Sequence, residues 1–554
     1  MSNNTTSNKT MNNTMNNTSD KNGSANNVDR ILSERDLDAF LQKSSDIIKR
    51  AERLKLKLVE PYEDEIYGIT NIVMNYLKKN QRKAYGGFAL NLLLKNKSPA
   101  YAIYDDSDVP DIDFYSPHPM KDLCAICNEL HDKGYKNVMG REGMHKETYT
   151  IYANTQKYCD ISYVPSHIYN NMPFERIDGI HVISAQFMLI DYYRLMTDIV
   201  LTSWRIEKTM KRLYLLQKHY PMPYIQKKLY TTPASKNTEM VNAILLYTQK
   251  FAENDPKNII VIGFYAYNHF LKQSKLKNDY IKQIDVPFFD FIACNYIEIV
   301  ENYITELKKT FPTVADKITW KEYYPFFQFL ENSVEIYYDG ILVLRVFSNA
   351  KRCLAYNSVQ SDFFSEGKII PGKKKISIGA FSINMLYVLI MIIYSRINDD
   401  KENKNMYYTI ASHLFEMKKY YFEENNLTML DESLFKEFVE TCTGKEMSPD
   451  IEKQNIILRN KKKGKSYVFT YYPENGHKSS IEYLFSNTSG NMVTNDKYMK
   501  IFKNKNAEDL DDFDDSSDSD NDKSEKSDNS EKVVKIEKIE KIEKNDSKHK
   551  KEKK

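Results

Sequence analysis

Asp108-Val109-Pro110-Asp111-Ile112-Asp113-Phe114 returns 177 residues later, without a gap, as Asp285-Val286-Pro287-Phe288-Phe289-Asp290-Phe291. The same offset relates Gly86-Gly87-Phe88-Ala89-Leu90-Asn91-Leu92-Leu93-Leu94-Lys95 to Gly263-Phe264-Tyr265-Ala266-Tyr267-Asn268-His269-Phe270-Leu271-Lys272. One short match in a chain of biased composition arises by chance, but two at a single offset mark a duplicated unit. Each glycine segment follows a stretch with apolar residues at three- and four-residue spacing, 63–79 and 238–251, which predicts a helix. Each aspartate segment precedes a pair of strand-like stretches joined by a polar turn: 148–152 with 158–164, and 334–338 with 341–347 across Asp339-Gly340. The expected fold is therefore α/β (α+β), with two tandem units of the same element order and a C-terminal extension.

Residues shared by the halves serve the fold, whereas those that differ serve the chemistry. Gly87 becomes Phe264 and Asp111 becomes Phe288, and Asp160 of the first hairpin is expected to fall near Leu342 of the second. The first unit is thus read as active and the second as degenerate. Asn91, Lys95 and Asp108 recur in the second half as Asn268, Lys272 and Asp285, which assigns them structural work.

Asp111 and Asp113 lie two apart on a predicted strand, so both side chains point to one face, and Asp160 on a nearby strand supplies a third carboxylate. Clustered carboxylates repel one another unless cations intervene. Two magnesium ions held there would activate an attacking hydroxyl and neutralise a pyrophosphate leaving group. Gly86 and Gly87 stand between a short strand and a helix, where missing side chains let backbone N–H groups approach a triphosphate. Alone, a D-x-D also serves a solvated strand edge or a nucleotide-sugar glycosyltransferase. The order of glycine turn, D-x-D and hairpin aspartate is far more specific.

With these motifs in place, the sequence resembles the DNA polymerase β-like nucleotidyltransferases, through Tyr85-Gly86-Gly87 and Asp111-Ile112-Asp113. More narrowly it looks like the poly(A) polymerase catalytic subunits of poxviruses and giant DNA viruses, through 86–95, 108–115, Asp160 and the basic run Trp204-Arg205-Ile206-Glu207-Lys208-Thr209-Met210-Lys211-Arg212. That resemblance covers about residues 60 to 400. It implies template-independent adenylate addition to single-stranded RNA 3′ ends such as oligo(A), with ATP as donor and Mg2+ (or Mn2+) held by Asp111, Asp113 and Asp160. It also implies work in the virion and host cytoplasm, with a second subunit aiding processivity in the poxvirus-like relatives. The interval from Gly87 to Asp111 is longer than is usual in the superfamily and contains Asp105, Asp106 and Asp108. The alternation of Ile112 and Phe114 nevertheless makes Asp111 and Asp113 the pair on a strand. The carboxylates specify neither base nor acceptor, so a uridylyltransferase, an oligoadenylate synthase and a noncatalytic RNA-binding scaffold stay open.

Lys208, Lys211 and Arg212 occupy overlapping faces of the predicted basic helix and are candidates for the triphosphate. Lys461, Lys462 and Lys463 form a basic turn before an aromatic strand, 467–472, a combination suited to single-stranded RNA.

Formal net charge is +3, but residues 508–532 carry twelve acidic against three basic side chains, leaving the rest at +12. A basic body suits a polyanionic partner. The expected division is a disordered tail (1–28), a catalytic unit (29–203), a basic helical connector (204–236), a degenerate unit (237–400), a C-terminal extension (401–506) and an acidic tail (507–554). Six scattered cysteines predict no disulfide framework, and Cys124 with Cys127 reads as a pair of buried helical thiols. The apolar run 376–394 contains Ser377, Ser382 and Asn384, which predicts a buried core helix and no membrane span. Within it, Met385 to Ile393 offer spare apolar surface for a homodimer.

Overall fold

The computed structural model describes residues 32–104, 108–143, 145, 147–229, 238–349, 352–365, 368–462, 470–475 and 492–493. The expectations for residues 1–28 and 507–554, and for Asp105, Asp106 and Lys463, lie outside them.

Two mixed sheets form the frame, and their central five strands are laid out identically. In the first the order is Thr148–Ala153, Gln156–Tyr163, Ile112–Ser116, Lys83–Tyr85, Ile180–Ile183. In the second it is Ser333–Tyr338, Ile341–Ser348, Phe289–Ala293, Ile259–Ile262, Lys375–Gly379. Directions match as well: antiparallel, parallel, antiparallel, then parallel in both sheets. The duplication read from two short segments thus extends to whole lobes. Each glycine segment opens a helix, Gly86–Lys97 or Phe264–Ser274, and each central strand leads into another, Pro119–Asp132 or Tyr296–Thr310.

The recurring asparagines show why they recur. Asn91 accepts through Oδ1 from the backbone N–H groups of Ile103 and Tyr104, and Asn268 Oδ1 accepts from Ile284 while its Nδ2 donates to the Ile284 carbonyl. In both lobes the amide ties the glycine helix to the chain that leads back into the central strand. Each buried amide group thereby has a partner, which spares a desolvation cost of about 1–3 kcal/mol.

Between the lobes lies the helix Phe381–Ile397, packed on Ala185–Met196 of the first lobe and on Lys401–Asn425. Its apolar side chains from Met385 to Ile393 are buried inside the chain, so the surface expected for a homodimer is already used. The apolar run is also not one helix: Lys375–Gly379 is a strand, and the chain turns at Ala380 before the helix starts. No helix among the described residues is long and apolar enough to cross a membrane.

Cys127 is buried and Cys124 half-buried on the helix Pro119–Asp132, both as free thiols. No disulfide framework was expected, and the described residues contain one disulfide, between Cys353 and Cys442, 89 residues apart. The bond lies where the short edge strand Cys442–Thr443 pairs with the strand Leu354–Gln360 of the second sheet. The C-terminal segment is shared, since Thr470–Tyr471 joins the edge of the first sheet and Met492–Val493 that of the second.

Candidate active site

The central strand Ile112–Ser116 gathers the first lobe's candidate residues because of what its neighbours place beside it. Asp113 faces Tyr85 across the antiparallel pair and Asp160 across the parallel pair. The two carboxylates therefore stand side by side on one face, whereas Asp111, expected on the same strand as Asp113, lies just before it, since the strand begins at Ile112. Tyr115, two residues further along that face, stacks on Tyr85 with ring centroids 4.1 Å apart. The Tyr85 hydroxyl meets Ser162 Oγ at 2.8 Å. From the other lobe Phe327 packs edge-on against Tyr115 at 5.9 Å, so the second lobe buttresses the floor of the site.

Gly86 turns with φ +72°, in the left-handed region. A Cβ there would also come within 2.5 Å of Asp113 Oδ2. At Gly87 a Cβ would meet the Tyr104 hydroxyl at 2.5 Å and an Arg212 nitrogen at 2.7 Å. These glycines open the helix Gly86–Lys97, whose N-terminal N–H groups are suited to an anion.

Asp160 is held from two sides. Thr150, directly opposite on the hairpin, donates to Oδ1 at 2.6 Å, and the Lys157 ammonium lies 2.8 Å from Oδ2. The same ammonium is 3.4 Å from Asp111 Oδ2. As the side chains stand, no three acidic, histidine or cysteine groups among the described residues are gathered closely enough to hold a metal ion. A cationic group of the protein lies between two of the carboxylates. The donor set still fits a hard divalent cation, since it consists of three carboxylates, two of them paired in register and the third just before their strand, beside a glycine turn suited to phosphate.

Burial and the neighbouring Asp160 carboxylate push the Asp113 carboxyl up to about 7. A carboxyl raised on folding stabilises the folded state below its unfolded value, and that contribution is lost as pH climbs through about 7. Without divalent cations at pH 8, Asp113→Asn is therefore expected to melt roughly 2 °C above the parent. At pH 4 the two should coincide. A lower melting temperature for the variant at pH 8 would contradict this origin of the raised value.

The basic helix begins at Ile206 and its cations divide. Arg212 donates to the Tyr104 hydroxyl at 2.6 Å, beside Gly87. Lys208 is largely exposed; partial burial and then Arg212 and Arg205 lower its pKa, while Asp111 and Asp113, within electrostatic reach, raise it. Lys211 is placed elsewhere: it pairs with Glu207 at 2.5 Å on the outer face, with 73% of its side chain exposed. Lys461 and Lys462 end the helix Pro449–Lys462, where a turn was expected, and of the expected strand 467–472 the described residues include the strand Thr470–Tyr471.

Lys157, Thr150 and Arg205 were not singled out by sequence. Arg205 sits within the quoted basic run and its charge is felt by Asp113. Its Nε is buried and has no hydrogen-bond partner among the described residues. Lys157 reaches the site through a bulge: Tyr152 pairs with Lys157 but Ile151 with Cys159, so Tyr158 is an extra residue that brings Lys157 onto the face of Asp160.

The second lobe repeats this layout with different groups. Gly263 keeps φ +70°, and a Cβ there would lie 2.4 Å from Asp290 Oδ2. Asp290, the counterpart of Asp113, pairs in register with Arg345. Arg345, not Leu342, therefore takes the place of Asp160; the segment between central strand and hairpin is longer in this half, which shifts the offset. Its Nε donates to Asp290 Oδ1 at 2.8 Å and its Nη2 to the Tyr407 hydroxyl at 2.9 Å. The guanidinium lies 5.3 Å from the Phe288 ring centroid, and Phe288 packs edge-on against Phe264.

Comparisons agree with this architecture. The family "Poly(A) polymerase catalytic subunit" matches residues 71–200, and "APMV, Putative poly(A) polymerase, catalytic subunit, C-terminal" matches 215–504. A protein of Acanthamoeba polyphaga mimivirus named "Putative poly(A) polymerase catalytic subunit" is 33% identical over 503 residues, 84% of either chain. The chain belongs to the poly(A) polymerase catalytic subunit family. A family member from African swine fever virus is 26% identical over 214 residues, which cover 37% of this chain and 40% of its own. The crystal structure of the Megavirus polyadenylate synthase superposes with a TM-score of 0.76 at 30% identity, covering 84% of this chain and 93% of that one. The expected two-lobed nucleotidyltransferase fold of this family is thereby established.

Proposed function

We propose that the first lobe adds adenylate to RNA 3′ ends without a template, taking AMP from ATP and releasing pyrophosphate. The observation that carries this is the in-register pairing of Asp113 with Asp160 beside the left-handed turn at Gly86, in a chain of this family. Asp111, Asp113 and Asp160 would hold Mg2+, with Mn2+ as the alternative. A cation held by these carboxylates would supply Lewis acidity toward the RNA 3′-hydroxyl and positive charge for the departing pyrophosphate.

The rest is done by the chain's own groups. Backbone N–H groups at the start of the helix Gly86–Lys97 receive the triphosphate, with Lys208 and Arg212 adding positive charge from the neighbouring helix. Asp160, its carboxylate oriented by Thr150, takes the proton as the 3′-oxygen forms its bond to the α-phosphorus. The α–β bridging bond breaks in line and the electrons leave on pyrophosphate. RNA arrives as a flexible single strand, for which Lys461, Lys462 and Lys463 remain candidate contacts. The named relatives are viral, which supports action in the virion and host cytoplasm. A processivity subunit would be revealed by light scattering and by tail-length distributions with and without virus extract.

Offering each of the four NTPs with one RNA primer tests the reading directly. ATP should dominate, and Asp111→Ala should remove incorporation; preferential use of UTP would replace the assignment with a uridylyltransferase. Lys208→Ala is expected to raise the KM for ATP roughly tenfold with little change in primer KM. An unchanged ATP KM would remove Lys208 from the triphosphate site.

A further inference from the structure

The Lys157 ammonium, 2.8 Å from Asp160 and 3.4 Å from Asp111, occupies a position with no role in the nucleotidyl transfer just described. A lysine on a regular strand would point away from a carboxylate three residues later. Here the bulge at Tyr158 turns it onto the carboxylate face, so the contact depends on a specific irregularity in the hairpin. Both charges are partly shielded, with 36% of the Lys157 side chain and 19% of that of Asp160 exposed.

We propose that Lys157 is a built-in counter-ion that competes with the divalent cation for the Asp111–Asp160 pair, so that the cation binds tightly only when a triphosphate draws the ammonium away. The proposal rests on the reading of this cluster as the cation site. An ammonium and a dication cannot share two carboxylates without strong repulsion at this range. The ammonium sits on a flexible stem and can leave, and an incoming triphosphate is the anion to which it would move. The second lobe shows the fixed limit of the same arrangement. There a cation is part of the chain at the hairpin position itself, as Arg345, buried against Asp290 with a second partner in Tyr407. A permanent guanidinium there leaves no place for an exchangeable ion, whereas a mobile ammonium beside the aspartates leaves one.

The test is Mn2+ binding to the full-length protein without nucleotide, followed by electron paramagnetic resonance of free Mn2+. Lys157→Gln is expected to tighten Mn2+ binding roughly tenfold, and Lys157→Arg to leave it near the parent value. Adding a nonhydrolysable ATP analogue should strengthen Mn2+ binding much more in the parent than in Lys157→Gln. Asp113→Asn reports on the site itself and should abolish the tight binding in either background. If Lys157→Gln binds Mn2+ no more tightly than the parent while Asp113→Asn still abolishes binding, the counter-ion role is overturned and the cation site stands. If Asp113→Asn changes nothing, the cation site itself is wrong. Thermal melts give a second readout: Lys157→Gln should melt lower than the parent in EDTA and regain the difference in millimolar Mn2+. A deficit that Mn2+ does not restore would mark Lys157 as merely structural and also overturn the proposal.

Discussion

Asp113→Ala is expected to lower kcat for adenylate incorporation by about 10³-fold or more while leaving RNA binding and folding intact. Asp113 sits where the site's two strand pairings and its glycine turn meet. It pairs with Asp160, faces Tyr85, and lies so close to Gly86 that no side chain fits between them. Removing it would take away a proposed cation ligand without opening a large cavity, because the side chain is small. Single-nucleotide extension of a labelled oligo(A) primer, with filter binding as the control, measures the effect. More than a tenth of parental activity in the variant would mean the metal pair has been misassigned.

The second large effect concerns stability. Arg345→Met should destabilise the second lobe by about 3–5 kcal/mol, because it strands Asp290 as an uncompensated buried charge. Asp290 and Arg345 are 3% and 6% exposed, and burial already pushes the Asp290 carboxyl upward. Replacing both partners, Asp290→Asn with Arg345→Met, should recover much of that loss, since it removes both charges together. Urea denaturation of the single and double variants measures the difference. Additive losses would show that the pair is not coupled. Because Phe327 of this lobe packs on Tyr115, the single variant should also reduce catalysis at a distance.

How much of this was legible in the sequence follows from which interactions are local. The tandem units, the glycine turn and the strand through Asp113 were, because turn chemistry and strand alternation are written within a few residues; Asp111, expected on that strand, lies just before it. Arg345 was missed because the longer connection in the second half breaks the constant offset, and only strand register shows which residue stands opposite Asp290. Lys157 was missed because a bulge defeats period-two reading. The run 376–394 was read as one helix because strands and helices buried on all sides are equally apolar. The Cys353–Cys442 disulfide and the addition of Thr470–Tyr471 to the first sheet join residues far apart in the chain, which local patterns do not encode.

The left-handed glycine persists in both lobes, Gly86 and Gly263, each pressed against the aspartate of its own central strand. Backbone geometry alone is enough to require that residue, whether or not a lobe carries chemistry. A survey of related genomes that scored live copies by the first glycine would therefore count relics as functional. The second position, Gly87 against Phe264, is where relaxed selection would leave its mark, and it is the better criterion for deciding which copy in a newly sequenced virus still works.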